Sequence, residues 1–347
     1  MAMKSPALGQ LTRIESLELR TRDVSVLSFG VLNTLTVIAQ KAVAYEYYYE
    51  YPVAQMIFQC VIGWLIMEYL RLRGRVSFPR YSITRGQEII YPHFYYYMHV
   101  YFCMWGLNGV DVPHFEMVKR TMPLLMFAFN RYILRKPRHL MPRSQFALFL
   151  VIITSMWACA YEMPYHSWSW MYGACDCFFH VMALVTIERT MKEFDFSPLE
   201  NLYHFCVHGI IFYAICDMVQ DELKESWMYF LHIWFAKTAQ FWFAYVAVML
   251  LPLLQFLAMG QCLIRDRSLH MSVIGNLKGL YHNWTTRWFG PYIELPPMLH
   301  NWVGTACGTL AIAWYFMVIG WENKARTNST SRKTDVTQTP KGKENIQ

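Results

Sequence analysis

Between Val24 and Trp321 the chain is a succession of apolar runs, each about as long as a membrane-crossing helix and separated by charged residues, Pro or Gly. A helix needs about 20 residues, within a range of roughly 17–25, to cross the hydrocarbon core of a bilayer. The runs are Val24–Ala44, Pro52–Leu70, Glu88–Leu107, Phe115–Leu134, Phe146–Ala160, Met171–Met191, Leu199–Asp217, Trp234–Gly260, His270–Phe289 and Met298–Trp321. They are too long for strands and too apolar for a soluble sheet, so the pattern predicts an all-α polytopic membrane protein with ten transmembrane helices. Charge agrees: only 16% of the 347 residues are charged and 55% are hydrophobic, whereas soluble domains carry roughly 25% charge. The eighth run stays open, because apolar residues extend from Trp227 to Ile264 with Lys237 and Pro252 inside. It reads either as one tilted helix after an interfacial turn or as two spans.

Loop charge orients the spans. The link between the second and third carries Arg71, Arg73, Arg75, Arg80 and Arg85, and the link between the fourth and fifth carries Arg135, Lys136, Arg138 and Arg143. The opposite links hold Glu46, Glu50, Asp111, Glu162, Asp221, Glu222, Glu225 and Glu294, with Lys224 as their sole Lys or Arg. Positive-inside bias puts the Arg-rich links in the cytosol. Both tails are basic and so expected there too, which requires an even number of spans. The net charge of +7 thus lies beside spans as an orientation signal, and no nucleic-acid partner is expected. Residues 1–22 form a polar cytosolic tail without the apolar core of a cleaved signal peptide. Residues 322–347 are polar and aperiodic, read as a disordered cytosolic tail. Nine Cys are scattered through apolar runs without a CxxC pair, as small buried residues rather than a disulfide frame.

Two stretches break the apolar rule. His270–Trp284 carries Lys278 near its middle, and Phe115–Leu125 carries Lys119 and Arg120. A cation at bilayer depth costs roughly 2.5–3.5 kcal/mol on insertion scales, so it usually faces a cavity or a substrate path. Split five and five, the spans place Lys119 and Arg120 in the fourth helix of one half and Lys278 in the fourth of the other. An odd number of spans per half forces opposite orientations, giving two inverted five-helix repeats, about 23–162 and 169–321, with a site at their midplane interface.

These residues carry a family resemblance. The chain resembles the nucleotide-sugar transporters of the drug/metabolite transporter superfamily, nearest the UDP-sugar branch. Pro113–Arg120 (PHFEMVKR) is similar to that branch's P-x-F and doubled basic pair at the start of the fourth helix. Val273–Lys278 (VIGNLK) resembles its ninth-helix Gly followed three residues on by Lys, and Asn301-Trp302-Val303-Gly304 resembles the opening of its tenth helix. Gln40-Lys41, Tyr51-Pro52 and Gln59 sit where the family has an Asn-Lys pair, a helix-opening Pro and a Gln. The order holds from about residue 25 to 318. Departures fall on polar positions: the family's Asn becomes Gln40, Asp176 and His204, and its base-reading Tyr-Asn becomes Tyr203-His204.

The resemblance implies an antiporter of Golgi or endoplasmic reticulum membranes that exchanges a cytosolic nucleotide-sugar for a lumenal nucleoside monophosphate. Lys278, with Lys119 or Arg120, would neutralise the diphosphate. The competing reading lets Lys119, Arg120 and Lys41 snorkel to the headgroups. Gly275 either admits ligand to the backbone or serves helix packing. Tyr203 and His204 would stack on or hydrogen-bond the base. Asp176 would orient a ribose or partner a basic group. His204 and His208, four apart, could ligate a metal, but the other His are dispersed, so neither a metal, a cofactor nor an enzyme is expected. A non-transporting adaptor built on a degenerate transporter is the alternative function, and a homodimer stays open.

Overall fold

The computed structural model describes residues 6–108, 112–134, 140–160, 167–265, 267–277 and 298–337. The described residues form α-helices joined by short links, with no strand among them. In chain order the helices are α1 (Pro6–Lys41), α2 (Pro52–Leu72), α3 (Ile83–Asn108), α4 (Val112–Lys119), α5 (Met122–Tyr132) and α6 (Pro142–Ala158). Then follow α7 (Ser167–Glu193), α8 (Pro198–Gln220), α9 (Glu222–His232), α10 (Ala239–Ile264), α11 (Ser268–Gly275) and α12 (Leu299–Thr337).

Starts and stops follow local chemistry. Pro opens α2, α5, α6 and α8 within the first two positions, where its missing N–H is no loss and its fixed φ suits a helix. Ser197 and Thr238 cap α8 and α10 by accepting the backbone N–H of Glu200 and Phe241. Glu222 of α9 caps α2 from outside, its carboxylate accepting the Val53 N–H at 2.6 Å.

The long apolar run resolves into one span. Asp221, at φ 54°, turns the chain out of α8 into the short α9. A 3₁₀ turn at Trp234–Lys237 then leads into the 26-residue α10, which carries Pro252 inside it. Lys237 therefore lies in the turn before the span.

Among the described residues, six helices are long and apolar enough to cross a membrane: Val24–Ala44, Pro52–Leu72, Ser167–Glu193, Pro198–Gln220, Ala239–Ile264 and Leu299–Ala325. The other apolar runs reach the structure as the more polar α3, the broken pair α4–α5, the 17-residue α6 and the start of the ninth run in α11. The molecule is a helical membrane protein. In the structure α1 begins at Pro6, and α12 continues past the span to Thr337. The reason at the C-terminal side is that no Pro or Gly interrupts Glu322–Thr337, so a helix nucleated in the span propagates onward. The rest of the expected tail, 338–347, lies outside the described residues.

The helices pack in pairs: α3 along α7, α12 along α6, α1 along α10 and α2 along α8. The pair α4–α5 lies against α7, and α11 against α5 and α1. At Gly304 the α12 and α6 backbones approach closely, for a Cβ there would stand 2.6 Å from the Ala158 backbone nitrogen. Asn301 bridges the same pair by donating to the carbonyls of Ala158 (3.2 Å) and Ala160 (2.7 Å). A separate aromatic cluster of Tyr49, Tyr229, Phe241 and Tyr245 closes the end where α2, α9 and α10 meet.

Candidate functional site: a polar cavity at a broken helix

The fourth apolar run does not form one helix. Pro123 lacks the N–H that would bond the Lys119 carbonyl, and its ring collides with that carbonyl. The helix accordingly stops at Lys119, turns through Arg120 and Thr121, and restarts at Met122. In the ninth run α11 ends at Gly275 and the chain turns at Asn276. The two interruptions clasp each other. Arg120 Nη1 donates to the Asn276 carbonyl at 3.3 Å, and Asn276 Nδ2 donates to the Arg120 carbonyl at 3.3 Å. Interruption frees backbone groups that a continuous helix would satisfy internally, and here each turn serves the other.

Beside the clasp lies a cavity of about 110 Å³ lined by both interruptions and by α1, α2, α3, α7, α8 and α10. Its wall is amphipathic: Tyr96, Phe205 and Phe256 on one hand, the amides of Asn33, Gln40, Gln59, Gln255 and Asn276 on the other. Lys119 and Arg120 both line it, and both are buried. The snorkelling alternative does not describe them in this structure.

Both cations face buried carboxylates. Arg120 forms an ion pair with Glu116 one turn earlier on α4. Lys119 Nζ lies 2.8 Å from Oδ2 of Asp176 on α7, 3.1 Å from Cys103 Sγ and 4.7 Å from the centre of the Phe115 ring. The other Asp176 oxygen is 2.5 Å from His99 Nδ1 of α3. The His99 ring stacks on His180, with centroids 3.7 Å apart and planes inclined by 17°. Asp176 thus pairs with a basic group, Lys119.

The other expected site residues are placed as follows. Gly275 lines the cavity, and a Cβ there would meet Asn33 Nδ2 at an ordinary 3.9 Å. Lys278 lies outside the described residues, one position beyond Leu277. Lys41 ends α1, half-buried and not part of the cavity wall. Tyr203 and His204 are buried on α8 but do not line the cavity either. Tyr203 donates its hydroxyl to Glu68 (3.3 Å), and His204 sits among Tyr81, Phe196 and His208. The reason is helix rotation: one and two residues before Phe205, at about 100° per residue, they point around α8 away from the face on which Phe205 and Tyr213 line the cavity. Near them His93 Nδ1 and His208 Nδ1 are 3.0 Å apart. Among the described residues no three His, Cys, Asp or Glu side chains gather as metal ligands would.

Sequence reasoning missed Glu116, His99, His180, Asn33, Gln255 and Asn276. Glu116 was legible in principle, as an acid four residues before Arg120 on a helix. The amides and imidazoles stood out only as polar residues in apolar runs.

No family model matches the chain. A protein of Arabidopsis thaliana, UDP-galactose/UDP-glucose transporter 7, is 22% identical over 262 residues, which cover 74% of this chain and 78% of that one. A crystal structure at 12% identity shares the fold with a TM-score of 0.60 over 86% of this chain and 98% of the other. The chain is thus similar, over most of its length, to a nucleotide-sugar transporter, and its fold matches that of a solved structure.

Proposed function

We propose that this protein carries a nucleotide-sugar, and specifically a UDP-sugar, across a Golgi or endoplasmic reticulum membrane in exchange for a nucleoside monophosphate. The single observation that carries the reading is the buried polar cavity at which Lys119 and Arg120 meet the interrupted ninth run. A diphosphate cannot enter a low-dielectric interior without counter-charge, and two buried cations beside freed backbone groups are the means of supplying it. The substrate class in the relative's name, UDP-galactose and UDP-glucose, points the same way.

The inverted-repeat plan of ten spans is part of the proposal. With α4–α5 counted as one span and α9 as a connector, the first span packs on the eighth and the third on the sixth. The second packs on the seventh, the fourth on the ninth and the fifth on the tenth. Exchanging every span for the one five places along leaves this set of pairs unchanged, as a pseudo-twofold axis requires. Lys278 would then approach the cavity from the half opposite to Lys119 and Arg120.

The cavity is smaller than the roughly 300–1,000 Å³ of ordinary small-molecule pockets. The proposed cycle therefore widens it toward one side and then the other. The aromatic cluster of Tyr49, Tyr229 and Tyr245 closes the side assigned to the lumen. The Arg85–Glu200 ion pair at 2.8 Å and the His93–His208 contact close the cytosolic side.

Proteoliposomes preloaded with UMP should accumulate labelled UDP-glucose, and Lys278→Ala should abolish that uptake without lowering the amount of folded protein. Internal pairing of both described cations favours the second reading, a non-transporting adaptor. Folded protein that neither binds nor exchanges any nucleotide-sugar decides for the adaptor.

A further inference from the structure

A threonine inside a helix commonly turns its hydroxyl back onto the carbonyl one turn earlier. Thr34, Thr154, Thr186, Thr305 and Thr309 all do so, at 2.6–3.0 Å. Thr36 of α1, which lines the cavity, does not. It is 5% exposed, and its hydroxyl has no hydrogen-bond partner among the described residues. A buried hydroxyl without a partner costs free energy, so one that forgoes its own helix carbonyl is set for something that enters. Its neighbours are of one chemical kind. Asn33 and Gln40 stand three residues before and four after it, on the same face of α1, and both line the cavity. Gln255 of α10 donates to the Asn33 side-chain carbonyl at 3.1 Å, which fixes that amide's orientation. None of these four side chains is ionisable. Lys119 and Arg120 enter the cavity from α4 and its turn, and α4 packs on α7, whereas α1 packs on α10.

We infer that this uncharged stripe, with Thr36 at its centre, is the subsite for the hexose of the ligand, and that Thr36 Oγ1 shares a hydrogen bond with a sugar hydroxyl. The inference rests on the proposed function and adds which part of the ligand is read by which wall. A hexose is neutral, and each of its hydroxyls both donates and accepts. Amides and a hydroxyl match it, whereas a phosphate is matched by cations. A pyrimidine ring is matched by aromatic surface, which the cavity offers elsewhere. Phe205 and Phe256 stack with centroids 4.1 Å apart, and Tyr96 stands edge-on to both. In the narrow cavity the Thr36 hydroxyl stays unsatisfied, and it gains a partner when the cavity widens around the ligand. The group that weakens the empty protein thus strengthens the loaded one. Such a group also discriminates, because an analogue lacking the matching hydroxyl leaves it buried and unpaired.

Thr36→Val keeps the shape of the side chain and removes its hydroxyl. The test titrates the purified full-length protein in nanodiscs with UDP-glucose and with UDP, which has the same base and two phosphates but no hexose. The ratio of the two affinities isolates the sugar. Thr36→Val should lower that ratio by about five- to tenfold, and Thr36→Ser, which keeps a hydroxyl, should hold it within about twofold. The ligand-free Thr36→Val protein should melt at or above the Tm of the wild type, because no internal bond is lost. A lower Tm, or failure to fold, means that the hydroxyl is bonded within the protein, and overturns the inference. An unchanged ratio in Thr36→Val, including an equal loss of affinity for both ligands, overturns it too. Each of these outcomes leaves the transporter reading standing. Folded wild-type protein that binds none of UDP-glucose, UDP-galactose and UDP overturns the transporter reading, and the inference with it.

Discussion

At the scale of single residues, burial decides what each charge means. Arg120 is 2% exposed and Glu116 4%, so neither has water to fall back on. Removing one partner takes a close counter-charge from the other in a medium that solvates it poorly, and breaking a buried pair costs about 3–5 kcal/mol. Arg120→Met should therefore lower the unfolding temperature and the yield of folded protein sharply, whereas Arg120→Met with Glu116→Met should recover most of the loss. Thermal unfolding in detergent measures both, and equal losses in the single and double variants would show that the pair is not the source. The pair was half legible in the sequence, because residues four apart on a helix meet whatever the fold. The Lys119–Asp176 pair was not, because its members lie on α4 and α7, in different halves of the chain, and only packing brings them to 2.8 Å.

At the scale of elements, the decisive features are an interruption and a crossing. Pro123 stops the fourth run from being one helix, and the stop exposes the Arg120 carbonyl that Asn276 uses. Pro123→Ala restores the missing donor, so the helix should run through, the fold should keep its stability, and uptake should fall by about tenfold or more because the basic groups turn with the backbone. Unchanged transport with unchanged Tm would mean that the interruption has no part in the cycle. At Gly304 the added Cβ meets backbone rather than a flexible side chain. Gly304→Ala should accordingly cost about 1–3 kcal/mol by pushing α12 off α6. Gly275→Ala, with ordinary contact only, should stay within about 0.5 kcal/mol by the same unfolding assay. Among the described residues, six of the ten apolar runs became helices long and apolar enough to cross a membrane, among them the single α10 that emerges from the ambiguous eighth run. They did not announce interruptions, since a run of apolar residues reads alike whether its helix is whole or broken.

At the scale of the whole molecule, the expected orientation rests on loop charge. A tag appended after Gln347 should be digested by protease added to sealed microsomes, while an acceptor sequon placed in the 46–51 link should become glycosylated. A protected tag would reverse the assigned sidedness, and with it which closure faces the cytosol. The sequence by itself determined that this chain is helical and lives in a bilayer, because run length and the scarcity of charge are properties of each segment alone. It also indicated which basic residues are anomalous. Only the tertiary structure decided what they face, joining Lys119 to Asp176 and His99, clasping Arg120 to Asn276, and turning Tyr203 and His204 away from the cavity. The physical reason is that burial cost depends on composition over one helix length, whereas the partner that relieves a buried charge is chosen by helix rotation and crossing, which no single segment encodes.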